Sequence, residues 1–68
     1  MRSLRELRES CGMSQHDVAL KLDVTDVAIS RWERGRSNPL RKYRERMANI
    51  YGVNIETIDC LLSRKDSA

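Results

Sequence analysis

Apolar residues recur at three- and four-residue intervals in five short runs, and each run is bracketed by residues that start or stop helices. Leu4, Leu7 and Cys11 share one helical face; Ser3 with Glu6 makes an S-x-x-E capping box ahead of them, and Gly12 is the stop. Ser14 caps a second run, with Asp17 at the box position and Val18, Ala19 and Leu22 as its apolar residues. Thr25 caps a third run, which carries Ala28, Ile29 and Trp32 and ends at Gly35. Asn38-Pro39 opens a fourth, because proline is well tolerated at the first helical position. Its stripe is Leu40, Tyr43, Met47 and Tyr51, and Gly52 closes it. Asn54 opens a fifth with Ile55, Ile58, Leu61 and Leu62. No stretch alternates with the strand period, repeats or reads as a linker. The pattern predicts an all-α domain of five short helices over residues 1–62, with a polar tail at 63–68.

Helices this short are unstable alone, since nucleation is costly below about 12–15 residues. They must therefore hold one another through their apolar stripes. Trp32 is the largest side chain available and is expected at the centre, where burying its ring contributes about 3 kcal/mol.

Composition narrows the function. Sixty-eight residues with 40% hydrophobic content fill one small core and leave nothing to line a deep cleft. No nucleophile–base pair, metal set or cofactor loop is present, so the expectation is a non-enzyme without cofactor. Cys11 and Cys60 have 48 residues between them and His16 is the sole histidine, which excludes a zinc set; both cysteines read as reduced thiols acting as small hydrophobes. No apolar run approaches the roughly 18 residues a membrane span needs. Arg2 follows Met1 and a helix-like pattern starts at once, so a cytoplasmic chain with no membrane partner is expected.

The net charge is only +3, but it is segregated. Residues 31–46 hold seven cations (Arg31, Arg34, Arg36, Arg41, Lys42, Arg44, Arg46) and two acids, a local +5, while the remaining 52 residues carry −2. A cationic segment of this kind points to a polyanion partner.

Helices two and three are separated only by Asp23-Val24-Thr25, so the second must leave at a steep angle. A small side chain is required where the two approach, and Ala19 stands there. Val24 plugs the turn, while Val18, Leu22, Ile29 and Trp32 make the seam. Asp26, Val27, Ser30 and Arg31 are left on the opposite face of helix three.

With these residues in place the sequence closely resembles the phage Cro/repressor type of helix-turn-helix domain, the XRE family. The resemblance rests on Leu-Arg-Glu-Leu-Arg (4–8), Gly-Met-Ser-Gln (12–15), Val-Ala-Leu-Lys-Leu (18–22), Ile-Ser-Arg-Trp-Glu-Arg-Gly (29–35), Asn-Pro (38–39), Met-Ala (47–48) and Tyr-Gly-Val (51–53). It implies a five-helix lambda-repressor-like fold that binds double-stranded DNA, with helix three in the major groove. The base-facing residues it implies are Asp26, Val27, Ser30 and Arg31. Arg31 suits the O6 and N7 of guanine, Asp26 the amino group of cytosine, and Val27 a thymine methyl. The phosphate-facing set is Ser14, Gln15, Thr25, Arg36, Asn38, Arg41 and Lys42. Arg8 and Glu33 fall at positions that form an internal ion pair in this family.

Two departures stand out. Asp23 holds a turn position usually given to glycine in this family, and Arg41 and Arg44 stand where it commonly places aliphatics. The buried stripe of helix four is accordingly expected on Leu40, Tyr43 and Met47. His16 lies on the outer face of helix two as a solvated or phosphate-near imidazole, and Met13 and Met47 read as core filler.

The last helix carries more apolar surface than so small a domain readily covers. Packing against helix one is one reading. The other makes part of the set Tyr51, Ile55, Ile58, Leu61 and Leu62 a symmetric dimer contact, because helix-turn-helix proteins read paired half-sites. The function expected is a small sequence-specific repressor, homodimeric at least on DNA. The alternative on the same fold is an antitoxin or anti-repressor-type module with a protein partner.

Overall fold

Capping side chains decide where the chain turns helical. The computed structural model describes residues 3–64 and folds them into α1 (Leu4–Ser10), α2 (Gln15–Leu22), α3 (Asp26–Arg34), α4 (Arg41–Tyr51) and α5 (Ile55–Arg64). No strand occurs among the described residues. Ser3 Oγ accepts the Glu6 N–H at 3.1 Å, and the Ser3 N–H donates to Glu6 Oε1 at 2.9 Å. Ser14 and Asp17 repeat this reciprocal box at the start of α2, with both bonds at 3.0 Å. Thr25 Oγ1 accepts the Ala28 N–H at 3.2 Å without a reciprocal bond, since alanine at that position has nothing to return. Of the expected polar tail, residues 65–68 lie outside the described residues, and α5 runs on to Arg64.

The turn between α2 and α3 depends on one unusual backbone conformation. Asp23 sits at φ 60°, ψ 45°, the left-handed region. This lets its own N–H reach the Leu20 carbonyl at 3.3 Å and the Val24 N–H reach Ala19 at 3.0 Å, a Schellman closure of α2. Aspartate tolerates this conformation better than most side chains, so it can replace glycine here at modest cost.

One core runs through the molecule. α2 packs on α3 and α4, α4 packs on α5, and α1 packs on α5. The largest fully buried side chains are Leu22, Met47, Ile58 and Val18, joined by Leu4, Leu7, Ala19, Ile29, Ala48 and Leu62. Trp32 is buried but keeps 8% of its surface, so it walls the core and does not form its centre. Its ring meets Tyr43 at 5.6 Å between centroids, tilted by 35°.

Four expectations are corrected. Pro39 is not the first residue of α4: it is buried one position before Leu40, and Leu40 is the N-cap. Leu40 has extended dihedrals (φ −62°, ψ 157°), so its side chain leaves the helical stripe and is 64% exposed. The buried face of α4 is Met47, Ala48 and Tyr51, edged by half-buried Tyr43. Cys11 is exposed, as is Cys60, although both thiols are free. Finally, Tyr51, Ile58 and Leu62 are buried by the chain's own helices, which leaves them little surface to offer a second molecule. Of that apolar set only Ile55 and Leu61 remain partly open. The burial of Tyr51 pushes its phenol up to about 12; the nearby Glu33 charge reinforces the shift and Arg8 partly offsets it.

Candidate nucleic-acid interface

A buried ion pair aligns α3 relative to α1. Arg8 Nε donates to Glu33 Oε2 at 2.6 Å, Nη2 donates to Glu33 Oε1 at 3.2 Å, and Nη1 donates to the Met13 carbonyl at 2.8 Å. Gln15 Nε2 adds a bond to Glu33 Oε1 at 3.0 Å, which ties in the start of α2. The two charged side chains keep only 7% and 6% of their surface. Hydrogen bonding to Glu33 raises the Arg8 pKa above its ordinary value, against the opposing effect of burial. Three helices therefore meet at one carboxylate that accepts three hydrogen bonds.

With Ile29 and Trp32 facing inward, helical geometry turns the other side of α3 to solvent. Asp26, Val27 and Arg31 are exposed on it and Ser30 is half-buried. Val27 keeps 60% of its surface, which leaves its methyl groups open to a partner. Arg31 and Arg34 lie one turn apart on this helix. Gly35, at φ 77°, then curls the chain back so that the Arg36 N–H bonds to the Arg31 carbonyl at 2.8 Å. The result is a groove of about 410 Å³ lined by Arg31, Arg34 and Arg36.

Four other arginines behave differently: Arg5, Arg8, Arg41 and Arg44 each have a carboxylate within 4.0 Å, supplied by Glu9, Glu33, Glu45 and Asp59. Among the described residues no ion pair engages Arg31, Arg34 or Arg36. Three guanidinium groups around one concavity repel one another unless an anion sits between them. Arg34 was absent from the sequence-based set, although its i+3 spacing from Arg31 could have placed it there.

The remaining polar residues expected at the site lie at three places. Ser14 and Thr25 are the exposed N-caps of α2 and α3; each hydroxyl accepts a backbone bond through its oxygen and keeps its O–H to donate. Asp17, bonded by the Ser14 backbone N–H, is held below the usual carboxylate range. Asn38, Arg41 and Lys42 are exposed around the start of α4, with Lys42 Nζ 5.1 Å from the centre of the Tyr43 ring. Gln15 is half-buried and oriented by Glu33.

Two pairings were not foreseen. His16 Nδ1 lies 3.1 and 3.3 Å from the two carboxylate oxygens of Asp26, which joins the first turns of α2 and α3. Arg44 Nε approaches Asp59 Oδ1 at 3.5 Å, so the cation at an otherwise aliphatic position of α4 faces an acid on α5. Among the described residues no group of three or more His, Cys, Asp or Glu is placed to hold a metal ion.

A helix-turn-helix family model matches residues 4–58. The chain belongs to the XRE family of helix-turn-helix proteins. Within that family it is similar to the HTH-type transcriptional regulator DdrOP3 of Deinococcus deserti, with 33% identity over 55 residues. The aligned region covers 81% of this chain and 43% of the relative, so the chain spans less than half the length of the regulator it matches. No solved structure is significantly similar. The XRE match runs from the first residue of α1 to Ile58, and so takes in the ion pair, the turn at Asp23 and the whole of α3.

Proposed function

We propose that this chain is a DNA-binding transcription regulator that represses by occupying operator half-sites, with residues 1–62 as the binding domain and α3 in the major groove. The observation that carries this reading is the outward face of α3, whose Arg31 stands with Arg34 and Arg36 around a groove without a carboxylate partner among the described residues. Arg31 forks onto guanine, Val27 packs on a thymine methyl, and Asp26 accepts from a cytosine amino group, with Ser30 at the edge of the set. Ser14, Gln15 and Thr25 hold phosphates at the amino ends of α2 and α3. Arg34, Arg36, Asn38, Arg41 and Lys42 continue the phosphate track on the other side. The exposed Arg41–Glu45 pair is of the weak i,i+4 kind that a phosphate displaces readily. Two copies read paired half-sites, with Ile55 and Leu61 as the apolar residues left for their contact.

Selection of bound fragments from a random-sequence duplex pool, followed by titration on the selected site, tests the proposal. Binding that weakens steeply with salt is expected, together with a loss of about 1–3 kcal/mol for Arg31→Ala that relaxes one base pair. Equal losses on selected and random duplexes would remove Arg31 from the base-reading set. A chain acting only as a protein-interaction module would retain no duplex even in dilute salt.

A further inference from the structure

An aspartate is an awkward residue on a surface that meets phosphates. Asp26 is the first residue of α3 and its side chain is 57% exposed on the outward face. Its carboxylate would meet both the repulsion of the DNA backbone and the freedom to swing away from any base edge. The structure answers both problems with a residue from a different helix. His16, in the first turn of α2, brings Nδ1 within 3.1 and 3.3 Å of the two Asp26 oxygens.

From this juxtaposition we infer that His16 is a specificity-determining positioning residue, which fixes the Asp26 carboxylate so that it accepts a hydrogen bond from the exocyclic amino group of one base. This inference rests on the DNA-binding reading above and adds to it a residue outside the base- and phosphate-facing sets. The neighbouring Asp17 does not compete for the ring, because its carboxylate is held by the Ser14 backbone N–H at 3.0 Å. With Nδ1 engaged as the donor, the ring occupies one side of the carboxylate and leaves the remaining lone pairs to the base. The pair contributes little to folding, since His16 and Asp26 are 63% and 57% exposed. Its geometry therefore acts on recognition and not on stability.

The test is competitive binding of the full chain to the selected duplex and to duplexes altered at each base pair, for His16→Ala, His16→Asn, Asp26→Asn and the combination of His16→Ala with Asp26→Asn. Asparagine places an amide nitrogen near the position of Nδ1 and cannot ionise. His16→Ala is expected to lower discrimination at a single base pair by about tenfold, within the range of one good base contact. His16→Asn should restore most of that discrimination. In the Asp26→Asn background, His16→Ala should have no further effect. Unchanged discrimination in His16→Ala, or the same loss with and without Asp26, overturns the inference while the regulator reading stands. A wild-type chain that binds no duplex overturns both.

Discussion

Glu33→Gln is the sharpest perturbation available, because it keeps the shape of the side chain while removing its charge and turning one acceptor oxygen into a donor nitrogen. In the folded chain Glu33 accepts three hydrogen bonds, two from Arg8 and one from Gln15, at 2.6, 3.2 and 3.0 Å. Both members of the ion pair are more than nine-tenths buried. Glutamine would leave the Arg8 guanidinium in the interior without a counter-charge, a situation that costs about 3–5 kcal/mol. A chain of this size is expected to have a total stability of about 3–10 kcal/mol. The variant should therefore be close to unfolding, with its melting temperature lowered by at least about 12 °C. Urea titration followed by Trp32 fluorescence and far-ultraviolet circular dichroism reads this directly. The double change Arg8→Met with Glu33→Leu should recover much of the loss, because a buried pair has little net worth once both charges are gone. Recovery stays incomplete, since the Met13 carbonyl and the Gln15 amide each lose a partner. A Glu33→Gln cost below about 1 kcal/mol would refute the reasoning, as it would place the pair in solvent.

Three further outcomes follow from the same geometry. Arg36→Ala should weaken binding to all duplexes about equally and flatten the log–log salt dependence by about 0.9, measured by anisotropy over a salt series; an unchanged slope would take Arg36 off the phosphate track. The Tyr51 phenol, pushed up to about 12 from 10.0, contributes stability that is full below pH 10 and is lost as pH rises through 12. That contribution is about 2–3 kcal/mol, and Tyr51→Phe should abolish this part of the alkaline loss; an identical alkaline transition in both proteins would count against it. Asp23→Gly should change stability by less than about 1 kcal/mol, whereas Asp23→Val should cost about 1–2 kcal/mol in the left-handed turn. Equal stability of the valine variant and the parent in urea would show that the turn is not held as described.

Local chemistry was legible in the sequence because it acts over three or four residues. The Ser3–Glu6 and Ser14–Asp17 boxes, the Thr25 cap and the break at Gly35 are all formed. Periodicity located the apolar face of each helix but not what covers it. Tyr51, Ile58 and Leu62 lie on such faces, and only the packing of α4 and α1 on α5 decides that the chain buries them itself. Leu40 was misplaced because its position fits the stripe only if the backbone there is already helical. The Arg8–Glu33 contact was accessible through family resemblance alone, since the partners are 25 positions apart. His16 and Asp26 are ten residues apart, and their meeting depends on the angle between α2 and α3, which no spacing rule supplies.

The packing of α1 on α5 has a bearing on synthesis. During translation α3 is made well before the residues that complete the core, because Ile58 and Leu62 come near the end of the described chain. A ribosome that stalls after α4 would release a product whose Leu4 and Leu7 lack the covering that α5 supplies. Such a fragment should be open to proteolysis, because part of the apolar surface of the core stays in water.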